Sequence, residues 1–268
     1  MNEPLQRSYD VHPLNARAIQ RRLARQGKTM PTQLDLALDP ETDITDQNHI
    51  GGMATVIQLA EAACITSGSA VCDLGGGLGG SARCLAALFG CRVHVIDNSL
   101  RRCQDASDLN ALVRLADKVS VECGDVRTMR VSGSYDILWG QSAWIHWDDI
   151  ASVLTRWSAA LSSGGRLACE DAFIARKPHD LEHRKLAELK AIWNCRIPTH
   201  EMWDDQFEAA GYSIETFHDL TFLLEPHFNR LLRSGQEPDD AERRGWMLAL
   251  ELTRSGLLGY GRWIGIQT

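Results

Sequence analysis

The stretch Val71-Cys72-Asp73-Leu74-Gly75-Gly76-Gly77-Leu78-Gly79-Gly80 constrains this chain more than any other. Ala70-Val71-Cys72 leads into it as an apolar run, and Ser81 to Phe89 leads out of it with helical character. The pattern reads as a strand, a glycine turn and a helix. Glycine has no β-carbon, so such a turn can adopt φ > 0 and let a ligand lie against the backbone. The helix start adds unpaired N–H groups and a partial positive charge. A second strand, Arg92-Val93-His94-Val95-Ile96, ends in Asp97. An acid at that place can accept both hydroxyls of a ribose. The unit therefore predicts a nucleotide-containing cofactor at the edge of a Rossmann-like sheet.

Gly75-x-Gly77-x-x-Gly80 also satisfies a dinucleotide fingerprint, with Asp97 at about the ~20-residue spacing that goes with it. Two residues argue against NAD and so against an oxidoreductase. Asp73 stands just before the glycines, where a carboxylate would repel a pyrophosphate but suit an ammonium group. After a third candidate strand comes Gly124-Asp125, and Asp125 can accept a hydrogen bond from an adenine amino group. Taken singly, Asp73 could be a turn acid and Asp97 a turn residue before a helix cap. Their order and spacing favour the binding role.

In that order the residues resemble the motif series of class I S-adenosylmethionine-dependent methyltransferases. Asp46-Gln47-Asn48-His49-Ile50-Gly51-Gly52 resembles the leading segment of their small-molecule branch, which includes sarcosine/dimethylglycine and sugar O-methyltransferases. The resemblance runs over about residues 46 to 220. It implies S-adenosylmethionine as cofactor and S-adenosylhomocysteine as product. It implies that Asp73, Gly75, Gly77 and Gly79 hold the methionyl part, that Asp97 with Asn98 holds the ribose, and that Asp125 with Val126 meets the adenine. Gln141, closing the fourth strand, joins this set. The activity implied is methyl transfer to oxygen or nitrogen of a small molecule, a specialised metabolite. A protein that keeps the cofactor for a non-methylating step such as cyclisation carries the same motifs.

Strands are expected at 69–73, 92–96, 119–122, 134–140 and 165–171, with helices at 79–89, 101–116 and 148–161 between them. That alternation predicts an α/β fold: a Rossmann-like sheet, mostly parallel, with helices on both faces. Gly164-Gly165 is read as ending the helix before the fifth strand. Tyr212 to Thr221 and Gly261 to Ile266 supply two more strands, and the resemblance implies a seven-stranded sheet with an antiparallel last strand. Residues 1–52 are read as an N-terminal cover, with a helix over 13–26 and a loop over 28–52. Residues 53–268 form the methyltransferase domain, opening on a helix over 53–63. Cover insertions are expected around 172–200, with a helix near 180–193, and around 222–258, broken at 234–238. A helix from Thr199 to Ala210 lies between them.

Ligands of open α/β sheets bind beyond the carboxyl ends of the strands. The chemistry is therefore sought after strands four and five. His146 is the only side chain there with an unperturbed pKa near neutrality. Similar enzymes place a His and an Asp at positions matching His146 and Asp171, which makes these the candidate catalytic pair. Glu170 is the alternative acid, since strand alternation turns only one of the two to the pocket. Trp144, Trp147, Trp193 and Trp203, with His49, are the candidate substrate wall, suited to a planar group or a cationic amine. Core packing is the competing reading for the tryptophans.

The formal net charge of -7 disfavours a nucleic-acid partner. None of the eight cysteines forms a Cys-x-x-Cys pair, which fits free thiols in a reducing compartment and no metal. The polar start and the lack of an ~18-residue apolar run lead to an expectation of a cytoplasmic protein off the membrane. Its oligomeric state is open, a homodimer included.

Overall fold

The computed structural model describes residues 14–37, 45–47, 49–233 and 238–268. The elements in chain order are helices α1 (Ala16–Arg25), α2 (Gln33–Ala37) and α3 (Gly52–Ala62), then β1 (Ala70–Leu74), α4 (Gly80–Leu88), β2 (Arg92–Asp97) and α5 (Leu100–Leu112). β3 (Val119–Cys123), β4 (Tyr135–Gln141), a 3-10 turn at Trp144–His146, α6 (Ile150–Ser158) and β5 (Leu161–Ile174) follow. The chain closes with α7 (Asp180–Trp193), α8 (His200–Ala209), β6 (Tyr212–Asp219), α9 (Leu224–Arg233), α10 (Asp240–Arg254) and β7 (Leu258–Gln267).

The strands form one seven-stranded sheet in the order β3-β2-β1-β4-β5-β7-β6. β1 to β5 run parallel, and β7 lies antiparallel to both β5 and β6. The Rossmann-like sheet read from the sequence is the one observed. Its central strands are buried on both faces, as their apolar runs require. On one face Cys72, Leu74, Leu138 and Leu167 join Trp157, Trp203 and Trp263. On the other, Val71, Val95, Ile137 and Trp139 pack under Val56, Leu59 and Leu85. Helix starts are set by side-chain caps: Ser99, Asp149, Thr199 and Asp239 each accept from the backbone N–H three residues on.

Three local expectations are corrected. The stretch 28–52 is not all loop. It holds α2, whose Leu36 packs with Ile19 and Leu23 of α1 against Leu78 and Leu109. Gly164-Gly165 does not end a helix. α6 already stops at Ser158, and the two glycines lie inside β5, where pairing jumps from Tyr135↔Leu161 to Ile137↔Arg166. Gly164 takes φ +75° at that irregularity, the usual use of glycine in a bulge. The expected 101–116 helix ends at Leu112, and Arg114 turns out of it with φ +59°. The break expected at 234–238 falls mostly outside the described residues. Among these residues no helix is long and apolar enough to cross a membrane, and no group of three or more His, Cys, Asp or Glu could hold a metal ion.

The leading segment is tied down by charge. Asp46 and Arg83 are both fully buried, and Arg83 Nε donates to Asp46 Oδ2 at 2.9 Å. Arg83 Nη1 donates to Asn110 Oδ1 of α5 at 2.9 Å. One guanidinium thus joins α4, α5 and the 45–47 segment. Removing one partner of a buried pair leaves the other charge without compensation. Asp46→Ala is expected to lower the unfolding free energy by about 3–5 kcal/mol in urea denaturation, and a loss below ~1 kcal/mol would show that the pair does not anchor the segment.

Candidate functional site

An open cleft of about 1010 Å³ lies beyond the carboxyl ends of β1, β2 and β4. The turn after β1 forms one wall. Gly75 and Gly77 hold φ of +85° and +56°, which side-chain-bearing residues rarely adopt. The N–H of Gly75 donates to Ile96 O at 2.8 Å, so the turn is bonded to the end of β2. Gly76, Leu78, Gly80 and Ser81 also line the cleft; Gly80 closes the dinucleotide fingerprint, but none of the four was given a cofactor role from the sequence. Gly79 does not line it. It caps α4 behind the turn with φ +72°, and a β-carbon there would lie 3.2 Å from Arg83 Nη1.

Two carboxylates meet at this wall. Asp73, 2% exposed, has its Oδ2 buried without a hydrogen-bond partner. A β-carbon on Gly76 would stand 2.5 Å from that oxygen, so the missing side chain keeps the carboxyl open to the cleft. Asp97 accepts from Gly77 N through Oδ2 and from Ser99 N through Oδ1, each at 2.9 Å. Each Asp97 oxygen keeps a lone pair for a further donor. Burial, then the Asp97 charge, push the Asp73 carboxyl up to about 8. Burial also raises Asp97, against the pull of the Ser99 amide and Arg102.

Asn98, Asp125 and Val126 line the next wall. Asp125 is gripped by Arg127, with Nε to Oδ1 at 2.9 Å and Nη2 to Oδ2 at 2.7 Å. That grip holds the carboxyl below the usual range. Arg127 lines the cleft too and was missed, though its place two residues beyond Asp125 is a spacing that permits such a fork. Gln141 lines the cleft with both ends of its amide engaged: Oε1 accepts from Ser81 Oγ at 2.8 Å and Nε2 donates to Glu170 Oε2 at 2.9 Å. Glu170 is buried against Arg262, Nε to Oε1 at 2.7 Å, and does not line the cleft.

The far end holds Ser142, Ala143, His146 and Trp147, with His49 across from them. His146 Nδ1 lies 3.3 Å from the carbonyl of Asn194, at the end of α7. A carbonyl can only accept, so Nδ1 carries the proton and Nε2 is left basic. Burial lowers the His146 pKa and keeps the ring neutral. His49 contacts Gln47 Oε1 at 2.9 Å and Ile50 O at 3.1 Å, and burial moves it down to about 4.

The structure does not join Asp171 to His146 as a catalytic pair. Asp171, 1% exposed, lies beneath the cleft floor. Its Oδ2 accepts from the amides of Ala143, Trp144 and Ile145 at 3.1, 2.8 and 3.2 Å, and Oδ1 accepts from Ala172 N. Burial pushes it up to about 7, and these amides oppose that shift. It positions the turn that carries His146.

Of the expected tryptophan wall only Trp147 lines the cleft. Trp144 is fully buried. It stacks on Trp147 at 5.3 Å, and its Nε1 donates to Leu74 O at 3.1 Å. Its indole occupies the space a side chain on Gly140 would need. Trp203 is buried between Phe207 and Trp263 and donates to Ala172 O at 3.0 Å. Trp193 stacks on Phe228 at 6.1 Å, away from the cleft. Trp144 and Trp203 found more contact in the core than a pocket rim offers.

Residues 71–165 match a family described as a methyltransferase domain. A sarcosine/dimethylglycine N-methyltransferase from Aphanothece halophytica is 28% identical over 62% of this chain, which spans 60% of that relative's length. Methyltransferase GfsG from Streptomyces halstedii is 29% identical over 81% of this chain and 82% of its own. The structure of geranyl diphosphate C-methyltransferase from Streptomyces coelicolor A3(2) superposes with TM-score 0.75 at 17% identity, covering 99% of this chain and 97% of that one. That likeness concerns the fold alone.

A carboxyl raised by folding binds its proton more tightly in the native state. Between its unfolded value of 3.8 and about 8, the native state therefore holds more protons than the unfolded chain. The contribution of Asp73 to stability is full at low pH and is lost as pH rises through that window. Unfolding free energy measured in urea from pH 4 to 8 is expected to fall less steeply in Asp73→Asn than in the parent, and parallel profiles would contradict the raised pKa.

Proposed function

We propose that the chain is a class I S-adenosylmethionine-dependent methyltransferase that transfers the methyl group to a hydroxyl oxygen of a small molecule, a specialised metabolite. The observation that carries the choice of oxygen is the tautomer of His146. A neutral ring with Nδ1–H on Asn194 O presents an unprotonated Nε2, and a hydroxyl acceptor needs its proton removed as the new bond forms.

The cleft residues fit the cofactor. The unpartnered Asp73 oxygen suits the ammonium of its methionyl part. The spare lone pairs of Asp97 suit the ribose hydroxyls, with Asn98 beside them. Asp125 and Val126 stand where the adenine would lie, and Gln141 supports the turn through Ser81. Bound S-adenosylmethionine supplies an electrophilic methyl group on a sulfonium. The chain's own part is alignment and proton removal. Asp171 fixes the 143–146 turn, Trp147 and His49 bound the acceptor's space, and His146 takes the proton.

Two measurements test this reading. S-adenosylhomocysteine should bind in calorimetry, and Asp97→Ala should weaken it by about 1.5–3 kcal/mol, the usual value of hydrogen bonds to a charged group. Unchanged affinity would remove Asp97 from the site. A metabolite screen with methyl-labelled cofactor should yield a labelled ether. On that acceptor His146→Ala should lower kcat by about 10²–10⁴-fold with cofactor affinity intact. A fully active variant would reject the general base, and a product without label would point to the non-methylating use of the cofactor.

A further inference from the structure

The geometry points to Cys103 and Cys123 as an oxidisable dithiol that closes to a disulfide behind the nucleotide end of the cleft and weakens cofactor binding when it does. The second half rests on the functional reading above; the first does not.

The pair is built by the packing of α5 on β3. In β3, Val119, Val121 and Cys123 alternate onto one face, and Val119 and Val121 pack there with Val93 and Val95. α5 covers that face and runs against the strand direction. Asn110 Nδ2 donates to Val119 O at 3.2 Å. Cys103 lies two helical turns earlier on the same stripe, about 10.5 Å along the axis. From Val119 to Cys123 the strand rises ~13 Å. Cys103 therefore stands over the end of β3. Its Sγ is 3.4 Å from Asp97 O and 3.9 Å from Glu122 O, the carbonyl that precedes Cys123. Asp97 and Cys123 are themselves register partners. Cys103 Sγ thus lies against the peptide that leads into Cys123.

Their exposures divide the chemistry. Cys123 is exposed and Cys103 buried, and burial and the Asp97 charge hold the Cys103 thiol protonated. A peroxide meets Cys123 first. Hydrogen peroxide converts that thiol to a sulfenic acid and leaves as water. The Cys103 sulfur then displaces the sulfenic hydroxyl, which departs as a second water with the Cys103 proton. Each sulfur gives up one electron, and the peroxide is reduced to water.

Closure reaches the cleft because the groups around the pair also serve it. Asp97 O, which receives the Cys103 thiol, accepts from Gly124 N at 2.9 Å. The Asp97 carboxylate holds Gly77 and the start of α5. Joining the two sulfurs by a bond of about 2.05 Å takes the Cys103 thiol from Asp97 O and draws Gly124-Asp125 toward α5.

The test oxidises the whole protein with hydrogen peroxide and digests it with trypsin after blocking free thiols. Cleavage at Arg102, Arg114, Lys118 and Arg127 gives peptides 103–114 and 119–127. They should appear linked, about 2 Da below their sum, and separate after dithiothreitol. Cys103→Ser and Cys123→Ser should each abolish the link. Peptides recovered unlinked, or Cys123 overoxidised alone, would overturn the dithiol. Calorimetry with S-adenosylhomocysteine should give a Kd about tenfold higher for the oxidised protein, the loss of roughly one such hydrogen bond. The rise should be reversed by dithiothreitol and absent in peroxide-treated Cys103→Ser. Equal affinities of the oxidised and reduced protein would overturn the coupling. No binding by the reduced protein would remove the functional reading and the coupling together, while the linked peptides still decide the dithiol.

Discussion

The strand order reverses between β1 and β4, and a parallel sheet that reverses there must leave a crevice at its carboxyl edge. The helices leaving β1 and β4 depart to opposite faces, so neither covers the gap. Everything chemical in this protein is arranged around that gap. The glycines of the turn after β1 supply a stretch of wall without side chains. Asp73 and Asp97, at the ends of adjacent strands, bring two carboxyls to it. The segment after β4 supplies Ser142, Ala143, His146 and Trp147 from the other side.

Such a gap is lined by loops, and loops need holding. Three buried acids do this work in different ways. Asp46 binds the leading segment to Arg83 and so to α4 and α5. Asp171 gathers the amides of Ala143, Trp144 and Ile145. Glu170, its neighbour in β5, points to the other face and joins Gln141 to Arg262. Each carboxyl is nearly solvent-free and has its oxygens met by amides or a guanidinium, which is the condition for burying it at all. Asp73 is the exception, since its Oδ2 has no partner. A buried polar atom left open in a cleft is a place where a ligand's donor gains more than it would in water.

The tryptophans show how the apolar side of the design divides. Trp144 and Trp147 are three residues apart on one short turn, yet the first is sealed in the core while the second lines the cleft. Trp203 of α8 packs on Trp263 of β7 and donates to Ala172 O of β5, which links α8 to the sheet. The rigidity of this layer gives the His146 turn a fixed base, and the end of α7 then chooses the tautomer through the Asn194 carbonyl.

The sequence by itself determined the strand–turn–helix unit at Asp73–Gly80, the acids at Asp97 and Asp125, and the alternation that makes a mostly parallel sheet. These are local patterns, in which glycine conformation, side-chain period and chain spacing act within a few residues of each other. Only the tertiary structure decided the direction of Asp171, because the amides it serves belong to a different strand end. It also decided which tryptophan met the cleft, that Gly79 lay behind the turn while Gly76 and Gly80 faced it, that Arg127 gripped Asp125, and that Cys103 came to rest over Cys123. Each of these depends on which surfaces compete for the same side chain once the sheet is assembled. Burial and hydrogen bonding to partners far along the chain settle that competition, and no spacing within one segment encodes it.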